Sequence, residues 1–141
     1  MEKIKFKIVL DSDYQTTAPH AEVLVNDTVI FDARVTGKSY ITYTKEFDNE
    51  GNHKLIVKLK NKQPEDTEVD AQGNIVKDSL LKIDKVVIED IEIHNNFSLN
   101  TEMFYYEHSE KKETLYNTLG INGQAVINFS TPFYAWLLET I

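Results

Sequence analysis

His53-Lys-Leu-Ile-Val-Lys-Leu-Lys60 and Leu80-Leu-Lys-Ile-Asp-Lys-Val-Val-Ile-Glu-Asp-Ile-Glu-Ile93 decide the fold, with the acidic stretch between them. Leu55, Val57 and Leu59 recur at every second position, with Lys54, Lys58 and Lys60 at the alternate ones. That period puts the apolar side chains on one face of a pleated strand and the lysines on the other. In the second run the apolar parity passes from Leu81 and Ile83 to Val86 and Ile88, then to Ile91 and Ile93. A bulge near Asp84 and another near Glu89 are expected, since each shifts the alternation by one residue. The intervening loop carries Glu65, Asp66, Glu68, Asp70 and Asp78. Carboxylates held by rigid strands can collect a hard cation or a hydroxyl-rich ligand, or can simply solubilise a hairpin.

Working outward, the same period recurs. Ile4, Phe6, Ile8 and Leu10 alternate with Lys3, Lys5 and Lys7 and predict a first strand in place of a signal peptide. Ala21–Val25 and Thr28–Val35 flank Asn26-Asp27, residues that tolerate the positive φ of a tight hairpin. Ser39–Phe47 is rich in β-branched and aromatic residues. Val69–Val76 reads as a small hairpin with Gly73 at its tip. Phe97–Tyr106 is expected to be extended, with Phe97, Leu99, Met103 and Tyr105 on one side, and Leu115, Tyr116 and Leu119 suggest a helical turn or packed loop. Ala125, Ile127 and Phe129 mark a last strand.

After it the period changes. Thr131 suits a cap, Pro132 the first helical position, and Phe133, Trp136 and Leu137 share a helical face, with Tyr134, Leu138 and Ile141 on a neighbouring one. A short helix over 131–141 is expected, with Trp136 either plugging an open end of the sandwich or docking on a larger assembly.

The chain has 141 residues and no cysteine, which suits a single domain, 1–141, stabilised by packing alone. A net charge of −8 with Arg34 as the sole arginine argues against nucleic acid, whose phosphates demand a basic footprint. No run of apolar residues is long enough to span a membrane as a helix. There is no Gly-x-Ser-x-Gly elbow, no His-Glu-x-x-His and no glycine-rich phosphate loop, and His20, His53, His94 and His108 stand apart in sequence. A non-enzymatic protein is expected.

Asp66, Glu68 and Asp70 have the spacing that opens a helix-flanked calcium loop, but Ala71 and Lys77 stand where that loop needs glycine and glutamate. Asp78-Ser-Leu-Leu-Lys-Ile-Asp84, with Ile56-Val-Lys-Leu-Lys-Asn61 and Ser39-Tyr-Ile-Thr-Tyr43, resembles calcium-dependent xylan-binding carbohydrate-binding modules over roughly Glu22 to Asp90. The resemblance implies a jelly-roll-like β-sandwich of two antiparallel sheets. It implies a calcium ion held on an end loop by carboxylates and carbonyls and completed by sugar hydroxyls. Asp78 is then a calcium ligand, Asp84 a ligand or its support, Asp66 a neighbouring loop carboxylate, and Tyr40 and Tyr43 lie beside the sugar. The chain departs from that pattern at Lys62, where the family usually shows an acid, and at Lys82, where it prefers an aromatic.

Asp70-Ala-Gln-Gly-Asn-Ile-Val-Lys-Asp78 and Asn122-Gly-Gln-Ala-Val-Ile-Asn-Phe-Ser-Thr-Pro-Phe-Tyr-Ala-Trp-Leu-Leu-Glu139 resemble small proteins of tailed bacteriophages. This second resemblance implies a virion accessory, made in the host cytoplasm: a capsid decoration, fibre or baseplate module contacting other virion proteins or itself. The alternative is a working calcium-dependent module that binds a polysaccharide.

Overall fold

The computed structural model describes residues 1–140. In chain order the strands are β1 (Glu2–Tyr14), β2 (His20–Val25), β3 (Thr28–Arg34), β4 (Ser39–Phe47), β5 (Gly51–Lys60), β6 (Glu68–Val69) and β7 (Ile75–Lys77). They continue as β8 (Ser79–Ile88), β9 (Ile91–Glu92), β10 (Phe104–His108), β11 (Lys111–Thr114), β12 (Thr118–Leu119) and β13 (Gly123–Thr131), followed by helix α1 (Phe133–Thr140). The chain is an all-β, jelly-roll-like sandwich. One antiparallel sheet has the order β12-β8-β1-β4 with β9 on β8, and the other runs β11-β10-β13-β5-β2-β3.

Alternation places the core. Leu55, Val57 and Leu59 are buried, as are Ile4, Phe6, Ile8 and Leu10 from the facing sheet. Phe6, Phe47 and Phe129 meet edge to face, with Phe6 and Phe129 centroids 5.7 Å apart, a geometry aromatic quadrupoles favour. The expected bulge falls at Asp84: β1 pairs Val9 with Lys85 and Leu10 with Ile83, leaving Asp84 unopposed. Asn26 sits at φ 53 in the β2–β3 hairpin, and Gly73 at φ 84 turns the β6–β7 hairpin.

Four expectations are corrected. β5 and β8 belong to different sheets, so the acidic segment between them crosses from one layer to the other and is not a hairpin within one sheet. Glu89 and Asp90, at φ 50 and 66, form a tight turn that sends β9 back along β8, where a bulge was expected. The stretch His94–Leu99 is a 3-10 helix, with Phe97 buried and Leu99 78% exposed, because β10 begins only at Phe104. Lys111–Thr114 is a strand on β10, reached through a Ser109-Glu110 turn; beyond it no helical turn forms, and Leu115 is buried in a packed connection that leads to Leu119 in β12.

The helix is present, but Thr131 does not cap it: the threonine hydroxyl donates to the Asp48 carbonyl. Trp136 is 7% exposed and packs on Phe104, Phe129 and Phe133. It closes the sandwich end, while Leu138 on the other side of α1 is 85% exposed. Ile141 lies outside the described residues.

Candidate functional site

The residues singled out in the sequence go to separate places. Asp66 is buried in the short 3-10 turn Pro64–Asp66, where its carboxylate accepts from the Gln63 N–H at 2.9 Å. Asp84, at the bulge, lies 3.5 Å from the Lys38 ammonium on the outer face of the β1-β4-β8 sheet. Tyr40 is 70% exposed on that same face, beside a hollow of about 250 Å³ lined also by Lys7, Val9 and Lys85. Tyr43, three positions on, points the other way: it packs on the core with its ring 6.3 Å from Phe6. An odd separation on a strand puts two side chains on opposite faces, so Tyr40 and Tyr43 cannot flank one sugar.

Asp78 is the most heavily engaged of the carboxylates. Its Oδ1 accepts from Lys62 Nζ at 2.6 Å, from Thr67 Oγ1 at 2.8 Å and from the Ser79 N–H at 2.8 Å. Burial pushes its carboxyl up, but the Lys62, Ser79 and Thr67 hydrogen bonds together outweigh that and hold it below the usual range. Lys62 Nζ also donates to the Gly120 carbonyl at 2.6 Å, and its side chain is only 10% exposed. Asp70 serves its own hairpin, accepting from the Gln72 and Asn74 N–H groups at 2.9 Å each.

The residues present do not fit a calcium ion. Among the described residues no three His, Cys, Asp or Glu side chains gather into a metal-holding group. The carboxylate and carbonyl that a hard cation would use, on Asp78 and Gly120, are bridged by an ammonium.

Strand register assembles a site that the sequence did not signal. Lys112 lies opposite Glu107, Glu107 opposite Gln124, Gln124 opposite Lys58, Lys58 opposite Glu22, and Glu22 opposite Asp32. This polar row crosses the outer face of all six strands of the larger sheet. Gln124 Nε2 donates to Glu107 Oε1 at 2.7 Å, and Lys60 reaches Glu22 at 2.8 Å and Asp32 at 3.0 Å. The Lys60 hydrogen bond lowers Glu22, the His20 and Lys60 bonds lower Asp32, and the Glu22 and Asp32 bonds raise Lys60, so all three stay charged through neutral pH.

Next to this row Tyr105, Val126, Ile56, Leu24 and Val29 stand in register as an apolar stripe, of which Val29 is exposed, Ile56 and Leu24 are half-buried, and Tyr105 and Val126 are buried, with the Lys112 ammonium over the Tyr105 ring. Where the polar row meets the loops, a groove of about 590 Å³ opens between Lys58, Lys60, Asn61, Glu107, Asn122 and Gln124. Asn122 fixes one wall: its amide oxygen accepts from the Lys62 N–H and its Nδ2 donates to the Lys62 carbonyl, each at 2.9 Å. Such a wall of amides, carboxylates and ammonium groups complements a ligand with many hydroxyls. Only pairing between strands far apart in sequence creates it, so no local signal could have found it.

No protein-family profile matches the chain, and no curated protein matches it. A solved structure of vCBM60 in complex with galactobiose superposes with a TM-score of 0.51 at 12% identity, covering 88% of this chain and 98% of that one. A selenomethionine form of vCBM60 matches with a TM-score of 0.48 at 13% identity, covering 88% of this chain and 89% of that one. It was described in connection with circular permutation between two families of calcium-dependent carbohydrate-binding modules. At these identities the likeness is one of fold.

Proposed function

We propose that this chain is a non-catalytic glycan-binding module that takes a polysaccharide into the groove beside Glu107, Gln124 and Lys58. The cross-strand row carries the reading, because it sets hydrogen-bonding groups in line at strand spacing, about 4.8 Å apart, along a path a sugar chain can follow. The fold shared with a module that was solved with galactobiose supports it. Non-covalent capture needs no nucleophile or acid–base pair; Glu22 and Asp32 of the row are neutralised by lysines and Glu107 accepts from Gln124, which suits binding better than proton transfer.

Affinity electrophoresis of the full chain through gels holding galactans, xylans and other polysaccharides tests this. Retardation by at least one polysaccharide, relieved by Gln124→Ala with the thermal midpoint unchanged, is expected. Unretarded migration in every gel removes the reading.

A place on a phage particle is the second part of the proposal, with the groove serving attachment. The exposed Leu138 and Leu99 are large apolar side chains of the kind assembly contacts bury. Mass spectrometry of purified particles tests it, and consistent absence of the chain from them would exclude it.

A further inference from the structure

We propose that Lys62 is a built-in cation: its ammonium holds the loop end of the sandwich together in the place where a divalent metal would otherwise sit, so this chain needs no calcium there. The calcium expected from the sequence resemblance calls for carboxylate and carbonyl oxygens converging on one point. Such a pair exists, Asp78 Oδ1 and the Gly120 carbonyl, each 2.6 Å from Lys62 Nζ.

Three segments meet there. The first is the chain leaving β5, turned at Asn61 by a φ of 62. The second is Asp78 at the entry to β8, which also receives Thr67 and the Ser79 N–H. The third is the β12–β13 connection, bound through Gly120 and again through Asn122 to the Lys62 backbone. The Lys62 side chain is nine-tenths buried. A lysine carries one compact charge with three directed donors, enough to satisfy a carboxylate and a carbonyl on different loops. A divalent ion arriving at Asp78 would have to displace that charge or sit against it, and like charges a few ångströms apart repel strongly where water is excluded. The residue that departs from the family's usual acid is thus the one that fills the position.

This inference is independent of the glycan reading, because its readout is stability. The thermal midpoint of the full chain is measured with EDTA and with calcium chloride, for the natural sequence, for Lys62→Met and for Lys62→Asp. The natural sequence is expected to melt at the same temperature in both conditions. Lys62→Met is expected to melt roughly 5–10 °C lower in both, since it strands a partly buried carboxylate. Lys62→Asp, which puts a second carboxylate beside Asp78, is expected to melt low in EDTA and to recover with calcium chloride.

A calcium-dependent midpoint in the natural sequence would overturn the proposal, and so would a Lys62→Asp chain that folds but ignores calcium. Should neither variant fold, the ammonium protons of Lys62 in the natural protein decide. Slow exchange with water by NMR, unchanged by calcium chloride, supports the built-in cation; fast exchange, or displacement of the signal by calcium chloride, rejects it.

Discussion

Glu2 caps the helix that begins at Phe133: both of its carboxylate oxygens lie 3.2 Å from the Phe133 amide nitrogen, across 131 positions of sequence. The first N–H groups of a helix have no partner within it, and a negative charge there also meets the positive end of the helix dipole. The first strand is thereby tied to α1, the element that delivers Trp136 to the core. Glu2→Ala is expected to cost about 1 kcal/mol, the usual worth of a cap. Glu2→Gln, which keeps an acceptor without the charge, is expected to cost less. Urea denaturation of the three chains checks the order.

That tie shows where sequence reading stops. Ile4 and Phe6 on one strand, and Leu55 and Val57 on another, announce their faces by local alternation, and Asn26, Gly73 and the Asp84 bulge announce where it bends or slips. All of that is encoded within a few residues. Neighbouring Thr131 is the local candidate for the cap on α1, whereas Glu2 supplies it from the other end of the chain. The two ends of the row from Lys112 to Asp32 are hairpins, but its middle, from Glu107 through Gln124 and Lys58 to Glu22, exists only through register between strands that are not consecutive, which a period of two does not specify. Lys62 was legible as a departure from a pattern, but its two oxygen partners were not.

Tyr40 and Tyr43 separate cleanly by mutation. Tyr40→Ala removes an exposed ring and is expected to change stability by no more than about 0.5 kcal/mol. Tyr43→Ala withdraws a ring packed against Phe6 and the core, and is expected to cost about 1–3 kcal/mol, less than a fully buried aromatic because Tyr43 is half-buried. The proposed groove lies on the other sheet, so Tyr40→Ala is expected to keep the retardation that Gln124→Ala loses. The reverse result would move the binding face to the Tyr40 hollow.

His53 makes the fold sensitive to mild acid. Thr131 gives its hydroxyl proton to the Asp48 carbonyl, so its oxygen accepts from His53 Nε2 at 3.3 Å. His53 Nδ1 is then left to accept from Asn26 Nδ2, also at 3.3 Å. A second ring proton would face that donor. Burial, with Lys45 adding repulsion, lowers the imidazole from its ordinary 6.5. Below that value the unfolded chain takes up a proton that the folded chain resists, so this stabilisation is full above pH 6.5 and is lost as pH falls through the folded value. Unfolding free energy is expected to fall between about pH 7 and pH 5, and His53→Gln to flatten that slope. Ring-proton NMR is expected to show His53 titrating below 6.5.

Gly123 is where stability and the groove meet. A Cβ built there would stand 2.6 Å from the Glu107 carbonyl oxygen, 2.9 Å from His108 Cβ and 3.0 Å from the Tyr106 hydroxyl. The first of these is backbone and cannot swing aside, so β13 and β10 have to separate. Tyr106 holds the same junction from beneath: its buried hydroxyl donates to the Ile121 carbonyl, and burial pushes the phenol well above its ordinary range. Gly123→Ala is therefore expected to cost about 1–3 kcal/mol, as overpacking does. Tyr106→Phe, which leaves the backbones in place, is expected to cost about 1 kcal/mol for the hydrogen bond it removes. The two also differ in binding. Glu107 and Gln124 flank Gly123 in the groove wall, so Gly123→Ala moves their 2.7 Å hydrogen bond and is expected to weaken retardation by polysaccharide. Tyr106→Phe is expected to preserve it. A Gly123→Ala protein that melts and binds like the parent would show that β10 and β13 are not held as closely as their register requires.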